Sequence, residues 1–159
     1  MRIRSLGRTI ATAVALSALL GTGSPVGAAI GHCFRAPEIE AQEAVQYQAK
    51  LMVLSDTCGA ETYRRFTVRN REPLVHYQEE MIEHFRRLGE RHAERIFDNF
   101  LTGLANKVSL STGREPLTRL CGEAAEFLAQ ADTIDRDQFR HIVTAMAAER
   151  RNDYLRCTE

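Results

Sequence analysis

The stretch YRRFTVRNREPLVHYQEEMIEHFRRL, residues 63–88, decides the fold class of this 159-residue chain. Its seam residues recur at steps of three and four, at Tyr63, Phe66, Asn70, Leu74, Tyr77, Met81, Phe85 and Leu88. Such spacing puts them on one face of an α-helix and predicts a buried stripe that faces a partner helix. Because Pro73 lacks an amide donor, a kink or restart is expected near residues 71–73. The amide of Asn70 lies inside the stripe and must find hydrogen-bond partners there.

Helical patterns continue on both sides of this stretch. Four further helices are expected, over residues 33–58, 90–110, 116–131 and 139–157. Their core positions are expected at Ala41, Val45, Gln48 and Met52, at Ala93, Phe97, Leu101, Leu104 and Val108, at Leu117, Leu120, Cys121, Ala124, Phe127, Leu128 and Ala131, and at Phe139, Ile142, Val143, Met146, Arg150 and Tyr154. No alternating run is long enough for a strand of useful length. The sequence therefore predicts an all-α fold, an antiparallel bundle of four to five helices.

The amino-terminal residues have the order of a secretory signal peptide. Three arginines precede an apolar run over residues 10–20, and small residues follow up to Ala29. This order predicts export, with cleavage near Ala28 or Ala29. A membrane anchor is the competing interpretation, but the run is shorter than the ~20 residues that a spanning helix needs. We therefore expect a periplasmic protein without a stable membrane span, made of a cleaved segment, residues 1–29, and a single helical domain, residues 30–159.

Charge bears on the class of partner. The chain has 21 basic and 21 acidic residues, and residues 1–29 hold three of the basic ones and no acid. Cleavage would leave 18 basic residues (21 minus 3) against 21 acidic ones, a net charge near −3. Nucleic-acid-binding domains are typically basic, so this balance argues against such a partner.

Four cysteines remain after the expected cleavage: Cys33, Cys58, Cys121 and Cys157. An even number in a small exported chain predicts two disulfide bonds. Their wide spacing does not resemble the close cysteine pairs of zinc sites. Cys33 and Cys58 flank a helix of about 27 Å, whereas bridged Cα atoms lie ~4.4–6.8 Å apart. We therefore favour Cys58–Cys121 with Cys33–Cys157, and the crossed pairing is the alternative.

The best metal-ligating pattern consists of His76, Glu80 and His84. They are spaced at i, i+4 and i+8 on one helix face, with Glu83 beside them. Imidazole and carboxylate groups at this spacing can bind zinc or copper. The alternative, which we favour, is a solvated flank beside the apolar stripe.

Arginines form the second candidate, for an anionic ligand or a membrane surface. They are Arg64, Arg65, Arg69, Arg71, Arg86, Arg87, Arg91 and Arg95. Acidic residues interleave with them, at Glu61, Glu72, Glu79, Glu90 and Glu94. This pattern is typical of an ordinary exposed face with salt bridges, and we favour that interpretation.

The sequence contains no G-x-S-x-G motif and no cofactor motif, and oxidised cysteines leave no thiolate nucleophile. The leading hypothesis is therefore a non-catalytic periplasmic binding or structural protein, which would meet a periplasmic partner protein through an exposed groove. The alternative is a periplasmic metal-binding protein or an enzyme that uses His76, Glu80 and His84.

Several short stretches carry a resemblance. They are Leu51-Met52-Val53-Leu54 before Cys58, Tyr63-x-x-Phe66, residues 85–89, Leu104-Ala105-Asn106 with Ser109, and Leu120-Cys121. Together they resemble a group of small exported helical proteins of alphaproteobacteria for which no activity is known. The resemblance implies a Gram-negative periplasm and supports the Cys58–Cys121 pairing, but it implies no function.

Overall fold

A computed structural model describes residues 33–158 of the chain. This part is all-helical: α1 (Ala36–Thr57), α2 (Thr62–Arg69), α3 (Arg71–Arg87), α4 (Ala93–Thr112), α5 (Leu117–Thr133), α6 (Arg136–Glu149) and a 3₁₀ turn over Arg151–Asp153. Between residues 33 and 158 the extended pairing is limited to an isolated parallel bridge between Phe34 and Arg156. The predicted signal peptide, residues 1–29, lies outside the described residues.

The helix ends follow local sequence signals. Gly59 after α1 and Gly89 after α3 have φ values of +64° and +88°, a left-handed conformation that glycine adopts without steric penalty. After α3, the amide of Glu90 donates to the carbonyl oxygen of Phe85 at 3.2 Å, which closes the helix end. At the start of α6, Asp135 accepts a hydrogen bond from the Gln138 amide and the Gln138 side chain accepts one from the Asp135 amide, which forms a capping box.

The predicted interruption of the second helical region is a restart. Asn70 ends α2 and precedes α3, so one predicted region forms two helices and the described chain has six rather than four to five. The Asn70 amide nitrogen donates to the carbonyl oxygens of Phe66 at 3.1 Å and Ile134 at 3.2 Å, as expected for a buried amide. The amide oxygen of Asn70 has no hydrogen-bond partner within residues 33–158. Pro73 lies in the first turn of α3, where no amide donor is needed.

Helix α1 is the centre of the fold and packs against each of the other five α-helices. Its burial extends all round the helix, to polar residues such as Gln42 and Gln48 as well as to Val45 and Leu51. A helix surrounded in this way is typical of the interior of a domain. The predicted stripe of α2 and α3 faces this core, with Phe66, Leu74, Tyr77 and Met81 all buried.

Some predicted positions differ in the structure. Leu117 was expected in the core, but it starts α5 and is 58% exposed. The fifth predicted helix ends at Glu149, and Tyr154 lies in an extended segment beyond the 3₁₀ turn. In α4 only Ala93 and Phe97 are buried, whereas the expected core residues further along this helix are half-buried.

Two disulfide bonds hold the fold, one between Cys33 and Cys157 and one between Cys58 and Cys121. This is the pairing favoured from helix lengths. The Cα atoms are 4.8 Å and 5.6 Å apart, within the usual range for bridged cysteines. No helix between residues 33 and 158 is both long enough and apolar enough to cross a membrane.

Candidate functional site

A cavity of about 440 Å³ lies between α1, α4, α5 and α6. Helix α1 contributes Glu43, Gln46, Tyr47 and Lys50, and α4 contributes Leu104, Lys107, Val108 and Ser111. Both sets have the spacing i, i+3, i+4 and i+7, so each helix turns one face towards the cavity. The volume falls within the ~300–1,000 Å³ range of small-molecule sites in proteins.

The walls of the cavity are mainly apolar. Leu104 and Val108 of α4, Phe127 of α5 and Met146 of α6 supply the apolar surface, and the Tyr47 ring lies beside Phe127 with centroids 5.1 Å apart. The apolar stripe predicted on α4 therefore has two environments. Its first half packs in the core, and its second half lines the cavity.

Tyr47, one of the lining residues, carries a buried polar group. The residue is only 6% exposed, and its hydroxyl has no hydrogen-bond partner within residues 33–158. Burial raises the pKa of this hydroxyl to about 12, so it is a neutral donor at physiological pH. Buried polar groups in proteins are nearly always paired, and a bound ligand is one of the partners that can satisfy such a group.

One lining residue has a buried carboxylate that takes part in a hydrogen-bond network. Glu43 is fully buried, and its carboxylate accepts hydrogen bonds from the Tyr154 hydroxyl and from Arg150 at 3.2 Å. Gln46 donates to the Tyr154 oxygen at 3.2 Å and accepts from Arg150 at 3.2 Å. Burial and the neighbouring Glu43 carboxylate both raise the pKa of Tyr154, which keeps its proton available to Glu43. The charge of Glu43 is thus already paired within the protein.

The other charges on the lining are the ammonium groups of Lys50 and Lys107. Both residues are exposed, and neither forms an ion pair with a carboxylate of the part of the chain that the structure describes. The Lys50 ammonium lies 4.6 Å from the centre of the Phe127 ring, above the apolar wall. These two residues are also the only lysines in the 159-residue sequence. The other 19 of the 21 Lys and Arg residues are arginines (21 minus 2), so both lysines of the chain lie on the lining of this cavity.

The three predicted metal ligands have different surroundings. His76 is exposed, Glu80 is half-buried, and His84 is buried in a separate cluster. Across residues 33–158, no group of three or more His, Cys, Asp or Glu side chains is arranged to hold a metal ion.

The cluster around His84 joins α3 to the start of α1. The Nδ1 atom of His84 lies 3.1 Å from a carboxylate oxygen of Glu38 and 3.0 Å from an Arg87 nitrogen. The His84 ring stacks on the Phe34 ring, with centroids 4.3 Å apart. Arg87 pairs with Glu38 at 2.6 Å and 2.9 Å. Burial would raise the pKa of Glu38, but hydrogen bonds from Arg87, the Arg35 amide and His84 hold it below its usual value. This cluster is a structural link between two helices.

The predicted arginine face has mixed surroundings. Arg64 pairs with Glu61, and Arg86 pairs with Glu83 and Glu94, as on an ordinary exposed helix face. Other arginines connect elements that are distant in sequence: Arg65 pairs with Asp132, Arg69 donates to the Asp132 carbonyl, and Arg87 pairs with Glu38.

Sequence reasoning missed the residues of the cavity as a site. Leu104, Val108, Phe127 and Met146 were assigned to the core because periodicity shows which face is apolar but not whether a neighbour covers it. The sequence did contain one sign of this site, because Lys50 and Lys107 are the only lysines among 21 Lys and Arg residues. No protein-family model, curated protein or solved structure matches this chain.

Proposed function

We propose that this chain is a non-catalytic binding protein of the periplasm, which holds a small, largely apolar molecule in the cavity between α1, α4, α5 and α6. The observation that carries the proposal is Tyr47, a nine-tenths-buried residue whose hydroxyl lacks a partner among residues 33–158 and which lines an apolar cavity of about 440 Å³. Ligand sites combine apolar walls with a few placed polar groups in this way.

Three observations support the periplasm as the compartment. The first 29 residues have the order of a signal peptide, and the chain resembles small exported proteins of alphaproteobacteria. The two disulfide bonds are of a kind that persists in oxidising compartments. Intact-mass analysis of the protein made in its host tests export, because cleavage near Ala28 or Ala29 removes residues 1–28 or 1–29. A mass that includes Met1 would contradict it.

Binding can be tested with N-phenyl-1-naphthylamine, a neutral apolar fluorophore that brightens when it leaves water. We expect saturable binding to the purified protein. Ser111→Trp places an indole at the cavity lining, at a site exposed enough to accept it, and should abolish binding by occupying the space. Leu110→Trp is the matched control, because Leu110 is the adjacent residue, is 76% exposed and is not part of the lining. Equal binding by both variants would refute the cavity as the site.

A further inference from the structure

The charges around the cavity narrow the class of ligand. Its lining includes three cations, Lys50, Lys107 and Arg150, and a single carboxylate, that of Glu43. Glu43 is fully buried and already bonded to Arg150 and Tyr154, so it has little capacity left for a positively charged ligand. The two lysines have no carboxylate partner among the described residues, and an approaching cation would meet their repulsion.

The position of the lysines relative to the apolar wall suggests how a ligand would lie. Lys50 is held over the face of Phe127, at the boundary between the apolar wall and solvent. Lys107 lies one helical turn from Leu104 and from Ser111 on the same face of α4. A molecule with its apolar part against Leu104 and Phe127 would therefore present its polar end to the two ammonium groups.

The volume of the cavity sets the size of the molecule. Since a water-sized group takes about 30 Å³ of liquid volume, 440 Å³ accommodates roughly 15 such groups. A straight-chain carboxylate of about ten to twelve carbons has this size. It also combines an apolar chain with a single negative charge at one end.

From these charges, positions and dimensions we infer that the ligand is a single-chain anionic amphiphile, a medium-chain carboxylate whose head group is bound by Lys50 and Lys107 and whose chain lies against Leu104 and Phe127. This inference rests on the proposed function, because it names the class of molecule that the cavity holds. We also expect the buried Tyr47 hydroxyl, which belongs to a residue of the lining, to donate to the bound ligand.

The test compares three probes with the same ten-carbon chain by titration calorimetry at neutral pH: decanoate, decanol and decyltrimethylammonium. We expect decanoate to bind most tightly, and its affinity to fall with added salt because exposed charges are screened. Lys50→Gln and Lys107→Gln should each weaken decanoate binding by up to about fivefold, the usual range for an exposed ion pair. Decanol affinity should change less than decanoate affinity in both variants. Both sites are exposed, so these changes leave the fold intact.

Arg91→Gln is the matched control, since Arg91 is an exposed cation near the opposite end of α4. Equal affinities for decanoate and decanol would overturn the inference, and so would lysine variants that bind decanoate as tightly as the Arg91→Gln control does. Either result would leave the proposed function standing. If the three probes and the neutral fluorophore all fail to bind, the proposed function itself is refuted.

Because the chain has only two lysines, reductive methylation with ¹³C-formaldehyde gives a second, independent readout. The modification keeps the positive charge, and the side-chain signals in an NMR spectrum come from Lys50 and Lys107 alone. We expect decanoate to shift both signals and decanol to shift them less. Signals that stay in place while decanoate binds would place the head group elsewhere and overturn the inference.

Discussion

Replacing Tyr47 with phenylalanine should stabilise the free protein and weaken its binding of decanoate. The ring contacts are retained, because Phe66, Phe127 and Phe139 pack against the aromatic ring of Tyr47, with centroids 5.1–5.6 Å away. These contacts do not involve the hydroxyl. What is removed is a buried polar group without a partner in the described residues. Leaving such a group unpaired costs about 1–3 kcal/mol. We expect a gain of about 1 kcal/mol in the free energy of unfolding, which is about 4 °C in Tm for a chain of this size.

Binding should change in the opposite direction. If the hydroxyl donates to the ligand, the phenylalanine variant loses one hydrogen bond, which contributes about 0.5–1.5 kcal/mol. This loss corresponds to roughly 2- to 12-fold weaker binding of decanoate. Urea denaturation measures the stability and titration calorimetry measures the affinity. A stability gain combined with an affinity loss is the pattern expected of a residue retained for function.

Tyr154→Phe is the matched control, because it makes the same chemical change where the hydroxyl is paired. There the hydroxyl donates to the buried Glu43 carboxylate and accepts from Gln46. Losing a hydrogen bond to a charged group should destabilise the protein by about 1.5–3 kcal/mol. The two substitutions therefore have opposite signs. A Tyr47→Phe variant that is less stable than the parent would refute the reasoning, since it would mean that the hydroxyl has a stabilising partner.

Alkaline pH offers a second measurement on the same residue. Burial raises the pKa of Tyr47 from 10.0 to about 12. Above pH 10 the unfolded chain can ionise this group while the folded chain resists ionisation, so the parent protein loses stability as the pH rises towards 12. Phenylalanine cannot ionise. The stability difference between the variant and the parent should therefore widen between pH 10 and pH 12, and a constant difference would contradict the burial of the hydroxyl.

Other predictions concern the framework. Removing the Cys58–Cys121 bond, which spans 63 residues, by Cys58→Ser together with Cys121→Ser should lower the free energy of unfolding by about 4 kcal/mol, measured by urea denaturation without reductant. Asn70→Ala should cost about 1–3 kcal/mol because it removes two buried side-chain hydrogen bonds of about 0.5–1.5 kcal/mol each, whereas the exposed Asn99→Ala should have little effect. The lowered pKa of Glu38 contributes stability above its ordinary value of 4.5 that disappears as the pH falls through its lower folded value, so Glu38→Gln should flatten the decline in stability below pH 4.5; an unchanged acid profile would contradict this.

The helices were predictable because their apolar residues recur with the period of an α-helix. Phe66, Leu74, Tyr77 and Met81 could be assigned to one buried face from spacing alone, and the structure buries all four. The division at Asn70 was harder to place, since the proline three residues later is the stronger sequence signal. The local sequence contains no sign that the Ile134 carbonyl, 64 residues away, would bond to the Asn70 amide.

The site was less accessible to sequence reasoning, because it depends on how completely helices cover one another. Leu104 and Val108 have the spacing of core residues, and only the packing of α4 reveals that they line a cavity. Long-range pairs such as Glu38 with Arg87 are likewise invisible to local patterns. For the same reason, His84 could be placed on a helix face but not assigned to its partners at the start of α1.

The bond between Cys33 and Cys157 closes the chain into a covalent ring across 124 residues, and the Cys58–Cys121 bond crosses that ring. A single break anywhere between Cys33 and Cys157 therefore opens the ring but releases no fragment, and a protease has to cut twice to remove a piece. The same topology makes the chain suited to circular permutation. With a short peptide joining the positions of Cys33 and Cys157, new ends can be opened at the turn between α4 and α5 while the order of the helices around the ring is preserved.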